Sequence, residues 1–449
     1  MENQDQAATH WSRAQLLAYR FAFAYLVFYN LPFPFGTLPH TIRLAQGYES
    51  LWQTLVPWVG KHVLHLSHEI TTSANCSGDT VYDYVRALCF LSLAFAASLL
   101  WSFLGRAHAN YQRIHAWLRC YVRLSVGGAM LLYGAEKIFR MNFQQPNLYK
   151  LLEPLGDYSL MGLLWACLGA SRSYSIFAGC VQMFGGILLF VPRLATLGAL
   201  VGLVVFSNIF ALNLCYDLPL KLSSFHILLG CSFLVLPVAR RLVNFFLLHR
   251  SVAPYRETAL FNHKRLNGGA VVAQLALGGL LVCSYLYQTY TFEKRNFTVA
   301  SRPPFYGIWT VDEFKLGAKV LPPLLTDQTR WQKVVFQFPK EVGIQSMNGS
   351  WAAHWVRRDM AKKTLTMEKP SDPTKELEFT FSNPDSRSLT LQGSDGGNEI
   401  RVKLHLEGEK QFAVLGRGFH WINDDADWVM DEERVCDHVR RADGALPAR

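Results

Sequence analysis

Charged residues are scarce in this chain of 449 residues. Only 17% are Asp, Glu, Lys or Arg, whereas a typical soluble domain carries about 25%, and half of the residues are hydrophobic. This deficit argues against an ordinary soluble protein and predicts an integral membrane protein. The formal net charge of +10 could indicate nucleic-acid binding, but the basic residues gather beside apolar stretches, where they orient membrane spans. The expected partner is therefore the lipid bilayer, with no nucleic acid.

Signatures of cofactor and nucleophile chemistry are missing as well. The nine cysteines include no CxxC pair, so neither a zinc module nor a thioredoxin-like site is indicated. No haem, flavin or iron–sulfur motif is evident, so in a redox role the electrons would come from a ligand or a partner. The C-terminal region offers no Ser-His-Asp or Cys-His order that indicates a catalytic site, and no catalytic residue is assigned. The first apolar stretch is long and lacks an A-x-A site, so we expect it to stay as a helix.

Seven apolar stretches are long enough to cross a bilayer, which takes roughly 17–25 residues. They are Leu16–Phe35, Tyr84–Leu104, Trp117–Phe139, Ser175–Val191, Leu194–Asn213, Ser224–Leu248 and Gly269–Tyr290. An eighth stretch, Leu160–Ala170, is too short to cross and is predicted to be interfacial or re-entrant. The sequence thus predicts a membrane all-α helical bundle of about seven transmembrane helices.

The positions of the basic residues orient these spans, because cytoplasmic loops carry an excess of Lys and Arg. Three basic loops fall on one side of seven crossings, namely those after the second, fourth and sixth spans. Their residues are Arg106, Arg113, Arg119, Arg193, Arg240, Arg241, Arg250, Arg256, Lys264 and Arg265. We therefore predict a multi-pass protein of the cell (inner) membrane, with a cytoplasmic N-terminus and an extracytoplasmic C-terminal domain.

The chain changes character near Tyr290, where short alternating runs replace the long apolar stretches. Period-two alternation separated by turn residues predicts antiparallel strands. The runs are Trp331–Phe338, Lys363–Glu368, Leu377–Phe381, Leu389–Leu391, Ile400–Leu406 and Phe412–Leu415, with turns predicted at 382–385 and 394–398. The aromatic groups at 306–309 and 419–421 either fill the core of a small barrel or line a cupped barrel that holds an apolar ligand.

Ionisable and polar residues occur inside or at the ends of the predicted spans, where they are costly and often mark function. The candidate ligand-binding residues are Arg123, Glu136, Lys137, Gln182, Asn213, Tyr216, Asp217, Lys221 and His226. Helical spacing places Arg123, Gly127, Met130, Gly134 and Lys137 on one face, and Gly179, Gln182, Gly186 and Arg193 on another. We expect one polar belt weighted towards the outer half, with Asp217 and Lys221 pairing with Lys137 and Glu136. Alternatively, these charges lie at helix ends and only stabilise the fold.

Two further groups lie in predicted outer loops. His62, His65 and Glu69 would share one face of an amphipathic helix, as metal ligands do, although a solvated polar face gives the same pattern. Cys76, Cys215 and Cys436 are predicted at or near the oxidising side, where one disulfide among them is compatible with the compartment.

Residues from about Arg123 to Arg241 resemble the DoxX-like family of small four-helix membrane proteins. The matching segments are Tyr133-Gly134-Ala135-Glu136-Lys137, Phe177-Ala178-Gly179 through Gln182 to Gly185-Gly186-Ile187-Leu188-Leu189, Arg193 with Thr196-Leu197-Gly198-Ala199, and Asn213 to Lys221. The resemblance implies a four-helix core whose polar face meets a quinone or another lipid-like ligand, since family members are linked to quinone-coupled complexes, notably thiosulfate oxidation. The family often has a glutamate where this chain has Gln182, and this removes a titratable group. The glycine–aromatic opening and strand pattern of the C-terminal region resemble a lipocalin-like domain.

The predicted organisation has five parts. They are an N-terminal region with two spans and an amphipathic loop (1–116), the DoxX-like core (117–248), a basic loop with the seventh span (249–295), the extracytoplasmic β domain (296–430) and a charged tail (431–449). Three functions stay open: a quinone-handling or redox-complex accessory component, a non-enzymatic binding or transport protein for a lipid or small hydrophobic molecule, and a structural subunit. For the first of these functions, the expected ligand is a quinone and the expected partner is a membrane redox protein.

Overall fold

The computed structural model describes residues 12–38, 40–72, 78–104, 111–253, 257–297, 302–370, 372–395 and 397–416. The chain divides into two compact units, a helical unit Met1–Arg302 and a β unit Pro303–Arg449. The first is the predicted helical bundle and the second the predicted β domain.

The described part of the first unit consists mainly of ten α-helices. They are α1 (Arg13–Asn30), α2 (Ile42–His62), α3 (Val81–Leu104), α4 (Tyr111–Ile138), α5 (Leu148–Leu152), α6 (Leu160–Ala170), α7 (Arg172–Phe190), α8 (Ala195–Cys215), α9 (Lys221–Phe246) and α10 (Lys264–Asn296). Among the described residues, five helices are long and apolar enough to cross a membrane: α3, α7, α8 with its preceding turn, α9 and α10. The predicted total of seven spans stays a prediction.

Several predicted boundaries are wrong. The first helix was expected to reach Phe35 but ends at Asn30, because Pro32 and Pro34 supply no backbone N–H and disfavour helix in the residue before them. Helix α7 ends at Phe190, and Arg193 lies in the 3₁₀ turn Pro192–Leu194. Arg193 therefore does not share the helical face of Gln182.

Helix α4 is the centre of the bundle, with contacts to α1, α7, α8, α9 and α10. Its glycine face packs on the glycine face of α7. A Cβ atom added at Gly134 would lie 2.9 Å from the Gly179 carbonyl oxygen, and one added at Gly186 would lie 3.1 Å from the Gly127 carbonyl oxygen. The two backbones therefore touch, as small residues allow in membrane helices. The predicted glycine faces cover each other, so they do not offer a surface to a partner subunit.

The second unit is an antiparallel β-barrel. Its strands are β1 (Gly307–Leu316), β2 (Lys319–Val320), β3 (Trp331–Phe338), β4 (Glu341–Ser346), β5 (Trp351–Asp359), β6 (Thr364–Lys369), β7 (Asp372–Asp385), β8 (Ser388–Asp395) and β9 (Asn398–Glu407). Each strand from β3 to β9 pairs with the next, and β1 pairs with both β3 and β9. In the described residues this closes an eight-stranded up-and-down barrel, with β2 as a short addition to β1. The architecture fits the lipocalin-like prediction.

The barrel interior is filled by side chains. Trp309, Phe336 and Phe379 are among the buried apolar residues that form one continuous core. This favours the core interpretation of the aromatic opening at 306–309, whereas Phe419, His420 and Trp421 lie outside the described residues. Two local predictions are wrong: Phe412–Leu415 is not a strand, because Ala413–Gly416 form a short helix, and 382–385 continue β7.

We expect Gly134→Ala to destabilise the bundle by about 1–3 kcal/mol, the usual cost of overpacking. The new methyl group would lie 2.5 Å from the Met183 Cγ atom and 2.9 Å from the Gly179 carbonyl oxygen. The matched control is Gly279→Ala on α10, where a Cβ meets no described atom within 4 Å. The free energy of unfolding, measured by titration with a denaturing detergent, should fall for Gly134→Ala alone. Equal losses would contradict the close contact of α4 and α7.

Candidate functional site

The predicted ligand-binding residues do not form one polar belt. Arg123 and Lys137 both lie on the buried face of α4, but they are about 21 Å apart along the helix axis. They line two different cavities. The prediction of a single belt in the outer half of the bundle is therefore wrong.

Lys137 and Gln182 form the centre of the first site. The Lys137 Nζ atom donates a hydrogen bond of 2.6 Å to the Gln182 Oε1 atom. Both residues are buried, with exposed fractions of 8% and 0%. Lys137 lies one turn after Gly134 on α4, and Gln182 lies one turn after Gly179 on the antiparallel helix α7. Because side chains lean towards the N-terminus of their own helix, both lean back towards the glycine contact, where they can meet. The expected pairing of Lys137 and Glu136 with Asp217 and Lys221 is not formed.

This pair borders a cavity of about 70 Å³, called here the Lys137 cavity. Its lining includes Tyr133, Lys137, Asn142, Phe143, Leu164, Trp165, Leu168, Gln182, Ile209, Asn213 and Ser224. The Lys137 ammonium lies 5.8 Å from the centre of the Phe143 ring, within the range of a cation–π contact. The cavity thus combines a buried cation with aromatic and aliphatic walls.

Two donors at this cavity have no acceptor. Within the described residues, the buried Gln182 Nε2 and Trp165 Nε1 atoms make no hydrogen bond. An unpaired buried donor costs about 1–3 kcal/mol, so such a group usually marks a missing partner. Together with the Lys137 ammonium, these donors suit a ligand whose head carries acceptor oxygens.

Asn213 lines the same cavity and connects two helices. Its Nδ2 atom donates to the Ser224 Oγ atom at 2.9 Å and to the Leu220 carbonyl oxygen at 3.0 Å. Sequence reasoning found Lys137, Gln182 and Asn213 but missed Ser224 and Trp165. Trp165 lies on α6, the short apolar segment predicted to be re-entrant or interfacial. An indole in such a segment could have indicated a polar contact at this position, because a buried indole N–H group usually finds a hydrogen-bond partner.

The predicted residues Asp217 and Lys221 lie at the helix end instead. Lys221 Nζ is 2.8 Å from the Asp217 carboxylate, whose side chain is 83% exposed, and 4.0 Å from Asp79. The Asp79 carboxylate accepts hydrogen bonds from the Lys221 and Leu222 backbone N–H groups, at 2.6 and 2.8 Å. This is the helix-end role considered as the alternative. Tyr216 and Glu136 are half-buried and do not belong to the lining of the Lys137 cavity.

His226 is a core histidine with both ring nitrogens occupied. Its Nδ1–H group donates to the Leu222 carbonyl oxygen at 2.7 Å, so its Nε2 atom accepts from the Tyr25 hydroxyl at 2.5 Å. Its ring also stacks on Tyr29, with centroids 3.6 Å apart. These contacts join α9 to α1, and His226 does not line the Lys137 cavity.

The weak metal candidate does not have the predicted geometry. Helix α2 ends at His62, and His65 adopts a left-handed backbone with φ of 51°. His62, His65 and Glu69 therefore do not share a helical face, and the described residues contain no group of three or more such ligands that could hold a metal ion. Among the cysteines considered for a disulfide, Cys215 has a free thiol, whereas Cys76 and Cys436 lie outside the described residues.

Comparison with known proteins leaves the family open. No family model matches this chain, and no solved structure matches it. The uncharacterized protein YwoB of Bacillus subtilis (strain 168) is 29% identical over 84 residues, which is 19% of this chain. The chain spans about half of the length of that relative, 54%. The DoxX-like resemblance therefore stays a prediction.

We expect a strong energetic coupling between Lys137 and Gln182. Lys137→Met should lower the free energy of unfolding by about 1–3 kcal/mol, because it leaves the buried Gln182 amide without its partner. The double variant Lys137→Met/Gln182→Leu should recover most of this loss, since both polar groups are then replaced. Gln288→Leu, which removes an exposed amide from α10, serves as the control and should have little effect. The coupling would be contradicted if the double variant lost as much free energy of unfolding as Lys137→Met and Gln182→Leu lose together as single variants.

Proposed function

We propose that this chain is a membrane protein that binds a quinone-class ligand in the Lys137 cavity, as a component that holds or hands on quinone in a redox complex. The observation that carries the proposal is the buried Lys137 ammonium beside two buried donors without acceptors, Gln182 Nε2 and Trp165 Nε1. An ammonium held in an apolar span by a neutral amide is costly. A carbonyl oxygen of a bound ring would compensate part of that cost.

The cavity chemistry suits a ring with acceptor oxygens, and the walls would have to move apart to admit the whole ring, because the volume is only about 70 Å³. Lys137 and Gln182 would donate to one carbonyl oxygen, and charge-assisted hydrogen bonds of this kind are roughly twice as strong as neutral ones. The Trp165 Nε1–H group would donate to an acceptor oxygen, Phe143 would pack against the ring, and Leu164, Leu168 and Ile209 would contact its apolar substituents. Because position 182 is an amide, it has no titratable group to relay protons. The proposed role is therefore binding and orientation, with a partner carrying out the electron transfer.

A lipid-binding or transport role is the second candidate, and a specific cavity favours it. An apolar cavity of about 610 Å³ lies between α1, α3 and α9. Its lining includes Phe21, Tyr25, Leu26, Leu88, Leu91, Phe225 and Leu229. Such walls would suit acyl chains. The filled interior of the barrel favours a cargo site in the bundle over one inside the β domain.

The binding proposal is tested with decylubiquinone, a short-tailed quinone, added to the full-length protein in detergent. Bound quinone should quench tryptophan fluorescence, and the titration gives a dissociation constant. Lys137→Met should weaken binding about tenfold or more, the usual effect of losing a hydrogen bond to a charged group. The double variant Lys137→Met/Gln182→Leu should remain folded and bind no more tightly than Lys137→Met.

Two controls separate this site from general partitioning into the micelle. Lys150→Met removes a lysine that does not line the cavity and should leave the dissociation constant unchanged. Decylbenzene, which has the tail but no carbonyl oxygens, should discriminate little between wild type and Lys137→Met. If wild type and Lys137→Met bind decylubiquinone equally, the quinone proposal is wrong.

We also propose that the N-terminus is cytoplasmic and that the β-barrel is extracytoplasmic, on the strength of the basic residues after α9. Reporter fusions on either side of α10, in a Gram-negative host, test the side on which the β-barrel lies. Alkaline phosphatase fused after Arg302 should be active and a green fluorescent protein there dark, because the first needs the periplasm and the second the cytoplasm. Fusions after Ser251, in the loop after α9, should give the reverse. The opposite pattern at both sites would show that the proposed orientation is wrong.

A further inference from the structure

A second polar cavity in the bundle is lined by two arginines and shares no lining residue with the Lys137 cavity. Its volume is about 250 Å³, and it lies between α4, α8, α9, α10 and the chain before α10. The residues used below are His115, Arg119, Arg123, Glu257 and Gln274, all of which line it. This cavity is called here the Arg123 cavity.

Among the described residues that line the Arg123 cavity, two arginines face one carboxylate. The side chains of Arg119 and Arg123 are only 11% and 6% exposed. Within the described part of the chain, the nearest carboxylate is that of Glu257, at 3.9 Å from Arg119 Nη2 and 3.6 Å from Arg123 Nη1. Both distances exceed those of charge-assisted hydrogen bonds, which are about 2.7–2.9 Å. Two guanidinium groups thus share one carboxylate that neither of them binds closely.

The remaining hydrogen bonds of the arginines are to neutral groups. Arg123 Nη2 donates to the Gln274 side-chain oxygen, and Arg119 Nη1 donates to the Leu234 carbonyl oxygen at 3.1 Å. Among the described residues, the buried Arg123 Nε and His115 Nδ1 atoms have no hydrogen-bond partner. A buried arginine with an unused N–H group beside a cavity is unusual, because buried charges are normally paired and fully hydrogen-bonded.

We propose that the Arg123 cavity binds a phosphate group. The planar guanidinium forks of Arg119 and Arg123 match phosphate oxygens, and the cavity has room for an anion beside them. The phosphate could belong to the headgroup of an anionic lipid or be free in solution, and both sources present the same oxygens. This inference is independent of the proposed quinone site.

Glu257 has a specific role in this proposal. Its side chain is 36% exposed, and it is the only carboxylate among the described residues that line the cavity. It therefore acts as an internal counter-ion that competes with the phosphate for the same two arginines. Removing its charge should strengthen phosphate binding, whereas removing an arginine should weaken it. A purely structural ion pair would lose stability in both cases and would not change ligand affinity in opposite directions.

The experiment uses the full-length protein in a zwitterionic detergent at constant ionic strength. The added probes are short-chain phosphatidylglycerol, sodium phosphate, and a diacylglycerol of the same chain length that has no phosphate. The midpoint of thermal unfolding against probe concentration gives an apparent affinity, because a ligand that binds the folded state raises that midpoint. Wild type should respond to phosphatidylglycerol or to phosphate, and not to diacylglycerol. A response to the lipid alone identifies a headgroup site, and a response to both identifies a general phosphate site.

Matched variants make the test specific. Arg119→Gln should weaken the apparent affinity about tenfold or more, as expected for a lost charge-assisted contact, and Glu257→Gln should increase it severalfold. Arg193→Gln removes an exposed arginine from the turn before α8 and should leave the affinity unchanged. If Arg119→Gln does not fold, the increase in apparent affinity expected for Glu257→Gln still tests the proposal. The proposal is overturned if neither phosphate probe shifts the midpoint, if diacylglycerol shifts it equally, or if Arg193→Gln weakens binding as much as Arg119→Gln.

Discussion

The direct contact between the backbones of α4 and α7 determines most of the interior of the bundle. Gly127 and Gly134 are two turns apart on α4, and they meet Gly186 and Gly179, two turns apart on α7. This spacing fits two antiparallel helices in a single register. In this register, a Cβ at Gly134 or Gly186 would press against the carbonyl oxygen of the facing glycine. With the register fixed, Lys137 reaches Gln182 across the contact. The glycines thus hold the polar groups in place although they contribute no functional atom.

Much of the fold could be predicted from the sequence, because its signals are local. Apolar stretches predict the long helices, and alternation predicts strands such as Trp331–Phe338, whose bounds are reproduced by β3. The strands β1, β4 and β5 were not predicted, because the alternation of apolar and polar residues is interrupted in each, as at Ala352-Ala353 in β5. The closing pair of the barrel, β1 with β9, joins residues roughly a hundred positions apart, which no local pattern reports.

The site was predictable in its residue types but not in its pairings. Polar residues within apolar spans identified Lys137, Gln182, Asn213 and Arg123 correctly as buried. Their partners depend on which helices meet: Lys137 pairs with a residue 45 positions away, and Arg123 with one 151 positions away. Asp217 and Lys221 looked equally suitable in the sequence, but they follow the end of α8, where the chain turns and their charges are partly solvated. The position of a helix end therefore separates a buried polar group from a surface one.

The closure of the barrel also imposes an order on its folding. The seam between β1 and β9 carries the Thr310–Glu407 hydrogen bond. Glu407 also forms an ion pair with Lys333 of the neighbouring strand β3, at 2.9 Å. Glu407 ends β9, the last strand among the described residues, so β1 has no partner on that side until the other strands of the barrel have been synthesised. During translation the first strand is an open edge of the kind that invites pairing with other chains. The nascent domain is therefore most exposed to such pairing until the ten residues of β9 have been synthesised.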